Sequence, residues 1–173
     1  IFASAAVRFM LADLVSIIQT HFGTSVAVVG CTGRGLVADG REHEQTDGVA
    51  WMAAHLPDVG VVPFWVSPEE LRSRAAQDWH TALELVPEQQ PVFIVLSDLF
   101  SVDGQALASA LDGAFPGCPK IGGIASSGQT PGSNRLICGP RIERTGAAGV
   151  ALWGDVRMVP LIAQGARPVG PVI

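Results

Sequence analysis

Cys31 is the side chain in this sequence best placed for covalent chemistry. It stands just past a valine-rich run, in Val29-Gly30-Cys31-Thr32-Gly33-Arg34-Gly35. A nucleophilic role needs a nearby base or cation to lower the thiol pKa, and Arg34 and His43 are the candidates. The competing reading is a free cysteine simply packed among valine and glycine. A second stretch, Ile121-Gly122-Gly123-Ile124-Ala125-Ser126-Ser127-Gly128, offers hydroxyls and backbone N–H groups with no large side chain at its end. It suits a small polar group such as a carboxylate, and equally a tight packing corner. A third is Gln164-Gly165-Ala166-Arg167-Pro168-Val169-Gly170, where the proline restricts the backbone at Arg167. An arginine mounted stiffly among glycines can clamp an anion with two parallel hydrogen bonds. A salt bridge within the fold is the alternative.

Other chemistry finds little support in the spacing. The first glycine series reads G-x-x-G-x-G, and a hairpin pattern follows it instead of a helix, so the helix-terminus logic of a dinucleotide or phosphate site fails. No Gly-Lys-Ser/Thr exists, which excludes a P-loop. The four histidines, His21, His43, His55 and His80, fall in different elements, and none pairs with cysteine or carboxylate at metal-ligand spacing. No metal and no cofactor is expected. Asp98 and Asp103 could form a carboxylate pair, but capping of the helix that follows explains them more simply. Cys31, Cys118 and Cys138 form no CxxC, and an odd count without a framework suits a reducing, intracellular compartment, the cytoplasm or a plastid reached by a transit peptide since removed.

Stepping outward, the composition limits what surrounds these residues. The chain has 173 residues, enough for one domain with a real core. Only 16% are charged, against about a quarter in a typical soluble domain, so some apolar surface is expected to meet a partner. The net charge of −5 is uneven: residues 1–119 hold 5 basic and 14 acidic groups, and residues 120–173 hold 6 basic and 2 acidic. Ten of the eleven basic residues are arginine, which favours planar recognition of carboxylate or phosphate. Ordinary surface charge is the simpler account of them. There is no dense basic stripe for nucleic acid, and no apolar run approaches the ~20 residues of a membrane span.

The elements that must position these residues are read from periodicity. Residues 4–22 carry Val7, Met10, Leu11, Leu14, Ile17 and Ile18 on one stripe and predict a helix ended by Gly23. Residues 25–30 predict a buried strand, and Asp39-Gly40 the turn of a hairpin. Residues 48–56 and 59–66 read as strands able to pair with each other across Pro57-Asp58. Ser67, Pro68 and Glu70 form a capping box for a helix running to about Trp79. A strand over 91–96 leads through Ser97-Asp98 and Ser101-Val102-Asp103, read as caps, into a helix over 104–115, and a strand over 119–124 follows. Beyond Ser133 the strands 136–138, 141–144, 147–153 and 156–162 predict an antiparallel meander. The expected fold is α/β of mixed α+β layout: layered β-sheet, largely antiparallel in the C-terminal half, with about three flanking helices.

Taken in order, these stretches resemble the N-terminal domain of the FIST family. The residues that carry the resemblance are Val29-Gly30-Cys31-Thr32 through Asp39-Gly40-Arg41-Glu42, and Leu99-Phe100-Ser101-Val102-Asp103. Ala114-Phe115-Pro116-Gly117 with Ile121 to Ser126, Gly149-Val150-Ala151-Leu152 and Gln164 to Gly170 complete it. The resemblance implies a single FIST N domain over residues 1–173 that normally begins earlier, with a helix and a strand, and is followed by a FIST C domain. It implies a sensory role toward small ligands, with amino acids suggested, and no enzymatic activity. By analogy Cys31, Thr32, Gly122, Gly123, Ser126, Gln164 and Arg167 are the residues to inspect, with Gly33 and Arg34 beside them. The family often has cysteine where this chain has Ala166. Two other functions compete: an interaction subunit docked on a larger assembly, and a thiol-dependent enzyme centred on Cys31.

Overall fold

The structure is a computed structural model, and it describes residues 1–44 and 46–161. Two sheets stack face to face, with helices on both outer sides. The first sheet has the order β10-β9-β2-β1-β5, made of β1 (Phe2–Ser4), β2 (Val29–Gly33), β5 (Val49–Ala50), β9 (Leu136–Cys138) and β10 (Arg141–Glu143). The second has the order β6-β11-β7-β8, made of β6 (Val59–Val66), β7 (Val92–Asp98), β8 (Lys120–Ala125) and β11 (Ala147–Gly154). A separate hairpin pairs β3 (Gly35–Ala38) with β4 (Arg41–Glu44). The helices are α1 (Leu11–Phe22), α2 (Pro68–Ser73), α3 (Ala76–Leu83) and α4 (Gly104–Ala114), and a 3-10 turn, Ala5–Phe9, leads into α1. The mixed α/β class is as expected.

Three apolar layers hold the stack. Leu11 and Val15 of α1 meet Ala3, Val28 and Ile137 on the outer face of the first sheet. Trp79 and Leu83 of α3 and Leu107 and Leu111 of α4 meet Phe64, Phe93, Val95, Ala147 and Ala151 on the outer face of the second. Between the sheets lie Cys31, Leu96, Ala125, Leu136 and Ala148. Strand alternation produces this division: Leu136 points inward while its neighbour Ile137 points toward α1, and Ala148 inward while Ala147 and Ala151 face the helices.

Several expected elements are corrected. The segment Cys31–Gly33, read as a loop, continues β2, because β1 pairs alongside it with Phe2 opposite Cys31 and Ser4 opposite Gly33. Of residues 48–56 only Val49–Ala50 form a strand, and it pairs with β1 and not with β6. The helix after Ser67 breaks at Arg74-Ala75. Its capping box forms as expected, but the Asp78 carboxylate accepts the Ala75 N–H at 2.8 Å and starts α3 as a second helix. The meander holds only for β9 and β10. β11 crosses to the other sheet and lies antiparallel to both β6 and β7, since Ala147, Ala148, Gly149 and Ala151 are small enough to bury on both faces. With both its edges occupied, β11 leaves no place for a following strand, and residues 156–161 form none.

Candidate functional site

The C-terminal ends of β2, β7 and β8 meet on one side of the stack, and the polar residues gather there. Thr32 is wholly buried near the end of β2. Its Oγ1 accepts the Arg135 backbone N–H at 2.9 Å, and its backbone carbonyl accepts the Ser126 N–H at 3.1 Å. The Arg34 N–H donates to Ser126 Oγ at 3.3 Å. Ser127 Oγ lies 2.7 Å from Thr32 Oγ1 and 3.2 Å from Asn134 Oδ1, and its one proton serves either. Thr32 and Arg34, on either side of Gly33, are therefore joined directly to Ser126 and Ser127, although about ninety residues separate the two stretches in sequence.

Behind this surface sits a buried plug that sequence reasoning missed. Asn134 and Asp98 are both fully buried, and Asn134 Nδ2 donates to Asp98 Oδ1 at 2.8 Å. Asn134 Oδ1 accepts the Gly128 N–H at 2.8 Å, and Ser101 Oγ donates to Asp98 Oδ2 at 2.7 Å. Asp98 lies two residues beyond Leu96, and Asn134 two before Leu136, so both face the layer between the sheets and close its polar end. The expected capping role of Asp98 is thus corrected. Asp103 alone caps α4, accepting the N–H groups of Gln105 at 2.8 Å and Ala106 at 3.4 Å. Asp98 and Asp103 form no catalytic pair. Nothing in the local sequence around Asn134 signalled its contact with β7, which is a tertiary event.

Gly122 and Gly123 lie in mid-strand on β8, roughly 10–13 Å from Ser126 at the rise of an extended chain. At Gly122 a Cβ would strike the Val95 carbonyl of the neighbouring strand, and at Gly30 that of Ile1, so both glycines admit a close strand neighbour. A Cβ at Gly123 would meet open space. Gln164 and Arg167 lie outside the described residues.

Cys31 is buried in the layer between the sheets at 4% exposure, and burial pushes its thiol up to about 11. His43 lies across the β3–β4 ladder from Leu36. Cys118 and Cys138 are also raised by burial, and all three cysteines are free. Such thiols are poor nucleophiles at neutral pH. Among the described residues no group of histidine, cysteine and carboxylate side chains could hold a metal ion. Nor is any helix there long and apolar enough to cross a membrane.

Comparison with known proteins gives this arrangement a lineage. The family model described as the FIST N domain matches residues 1–173, the whole chain. The uncharacterized protein Rv0628c of Mycobacterium tuberculosis is 28% identical over 166 residues, which cover 91% of this chain and 39% of that protein. The uncharacterized protein Mb0898c of Mycobacterium bovis is 28% identical over 145 residues, covering 83% of this chain and 36% of its own. The chain thus spans less than two fifths of the length of these curated relatives. No solved structure matches it significantly.

Proposed function

Because this chain belongs to the FIST family, whose domains are generally sensory parts of signal-transduction proteins, we propose that it binds a small polar ligand without catalysing its conversion. An amino acid is the first candidate. The observation that carries the reading is the junction of Thr32-Gly33-Arg34 with Ser126-Ser127, where hydroxyls and the backbone of an exposed arginine meet at the C-terminal ends of β2, β7 and β8. Ligands of layered α/β proteins gather at such strand ends. Arg34 or Arg167 would neutralise a ligand carboxylate, and Thr32, Gly33, Ser126 and Gln164 would complete the site. Gly122 and Gly123 would shape its approach along β8, and Cys31 would line its floor. The environment of Cys31 favours this over a thiol enzyme, since a buried thiol raised to about 11 holds almost no thiolate at neutral pH.

The test is calorimetry of the full-length protein against an amino-acid panel at millimolar concentrations. Saturable heat with at least one member supports the reading, and no binding to any member overturns it.

A second reading is an interaction subunit, with a FIST C domain of the same protein or a larger assembly as the partner. It rests on β8, an edge strand that exposes Ile121 at 42% and Ile124 at 57%. A monodisperse monomer that recovers no partner from native extract would count against it. An intracellular setting belongs to the proposal, because all three cysteines stay unbridged.

A further inference from the structure

We propose that Arg8, Arg135 and Arg144 form an oxyanion subsite at the end of the first sheet, on the face that α1 covers, and that it takes a small anion with two or more negative charges. The assignment rests on the small-ligand reading above and names the charge that such a ligand presents.

Strand register brings the three together. Arg135 continues the β2–β9 ladder beyond Leu136, which pairs with Cys31, so it lies opposite Thr32. Arg144 follows β10 directly, one residue beyond Glu143, which pairs with Leu136, so its backbone bends away beside Arg135. Side chains two residues apart share a face. Arg135 therefore projects on the side of Ile137, which packs beneath α1 together with Ile142, two residues before Arg144. The 3-10 turn that carries Arg8 follows β1, whose Ser4 is opposite Gly33, and its Val7 joins the same apolar layer. The backbone thus brings three arginines to the place where the turn meets the sheet end.

The charge there is unbalanced. Arg72, Arg74, Arg141 and Lys120 each pair with a carboxylate. Among the described residues Arg8, Arg135 and Arg144 pair with none, and neither do Arg34, Arg41 and Arg157, but only the first three are brought to one place. Glu143, beside Arg144 in the chain, is 3.3 Å from Arg141, and Asp13, the acid nearest Arg8 in the chain, forms no ion pair among the described residues. Arg8 donates to the Ala5 carbonyl at 2.9 Å and lies over the Phe9 ring. Arg135 is only 8% exposed, yet its guanidinium donates only from Nη1, to the carbonyls of Gly132 at 2.9 Å and Asn134 at 2.6 Å. Its Nε and Nη2 have no acceptor among the described residues, and neither is sealed from solvent, since Trp79 Nε1 is the buried side-chain atom there that lacks a partner. Burial first, then the charges of Arg144 and Arg8, hold the Arg135 guanidinium below its usual pKa. An unpaired fork of this kind accepts two oxygens of a carboxylate or phosphate, and three unpaired cations favour a ligand with more than one negative charge.

Calorimetry of the full-length protein in low-chloride buffer tests this, with malonate, inorganic phosphate and sulfate as separate probes. Binding of at least one is expected, and the malonate and phosphate arms separate a dicarboxylate from a phosphate ligand. Arg144→Gln and Arg8→Gln should each weaken binding by roughly tenfold or more, the worth of a charge-assisted hydrogen bond. Arg72→Gln, paired elsewhere on α2, should leave it unchanged. As a second measure, the probe that binds should raise the melting temperature of the wild type but not of Arg144→Gln. If amino acids bind while these anions do not, or if Arg144→Gln and Arg8→Gln bind the anions like the wild type, the subsite is wrong and the small-ligand reading survives. If neither amino acids nor anions bind, both fall.

Discussion

Replacing Asn134 by alanine should be the most damaging conservative change at the polar end of the stack. The side chain is fully buried and touches three segments: Asp98 at the end of β7, Gly128 in the loop after β8, and Ser127 beside it. Alanine removes the donor to Asp98 Oδ1, leaving that carboxyl with Ser101 on its other oxygen, and strands the Gly128 N–H. Each stranded buried group costs about 1–3 kcal/mol, and the small cavity adds about 1 kcal/mol. The expected loss is about 4 kcal/mol, a large part of the ~5–15 kcal/mol that a domain of this kind possesses. For a chain of this size that lowers the melting temperature by roughly 10–15 °C. Urea unfolding followed by circular dichroism measures the loss, with Arg72→Gln as an exposed-pair control expected to change stability by under ~1 kcal/mol. Asn134 links the two sheets, so the variant should also unfold less cooperatively, with a smaller slope against urea. A loss below ~1 kcal/mol with an unchanged slope would refute the view that this plug joins the sheets.

Further outcomes follow from other positions. Gly122→Ala should destabilise by about 1–3 kcal/mol because its Cβ meets the Val95 carbonyl, whereas Gly123→Ala opens onto free space and should be neutral or slightly stabilising; paired thermal melts check the contrast. If Gly123 instead serves ligand approach, Gly123→Ala will weaken binding at unchanged stability. Cys31 should react with iodoacetamide at least ~100-fold more slowly than free cysteine at neutral pH, given a thiol raised to about 11 and 4% exposure; peptide mass spectrometry reads the rate, and labelling as fast as the free amino acid would revive the thiol-enzyme reading. Ser67→Ala should cost about 1 kcal/mol through the lost cap of α2. Glu70 is held below its ordinary 4.5, first by the Ser67 N–H. Its contribution is therefore complete above pH 4.5 and fades as pH falls through the lowered value, a dependence that Glu70→Gln should abolish in acid titrations of stability.

What could be read from the chain was local. The stripe from Leu11 to Ile18 set α1, although the helix expected from residue 4 opens as a strand end and a 3-10 turn, Ala5–Phe9; Ser67 to Glu70 set the start of α2, and Asp39-Gly40 set the β3–β4 turn, where both residues adopt positive φ, at 52° and 70°. Each rests on residues within a few positions of one another, so propensity and capping decide it before the chain folds. The resemblance to the FIST family was legible in the same way, through short motifs kept in order.

The rest depended on partners far along the chain. A strand's period of two says which residues share a face, but not which strand lies beside it. That is why β11 was placed after β10 in a meander, when its small residues let it enter the centre of the other sheet. It is also why Asp98 was read as a cap, when Asn134, thirty-six residues on, claims its carboxyl. The meeting of Thr32 with Ser127, and of Arg135 with Arg144 and Arg8, is likewise set by register between distant strands. Residue types alone fixed the chemistry on offer here, hydroxyls, glycines and arginines without a nucleophile–base pair; only the closing of the two sheets on each other decided which of them stand together.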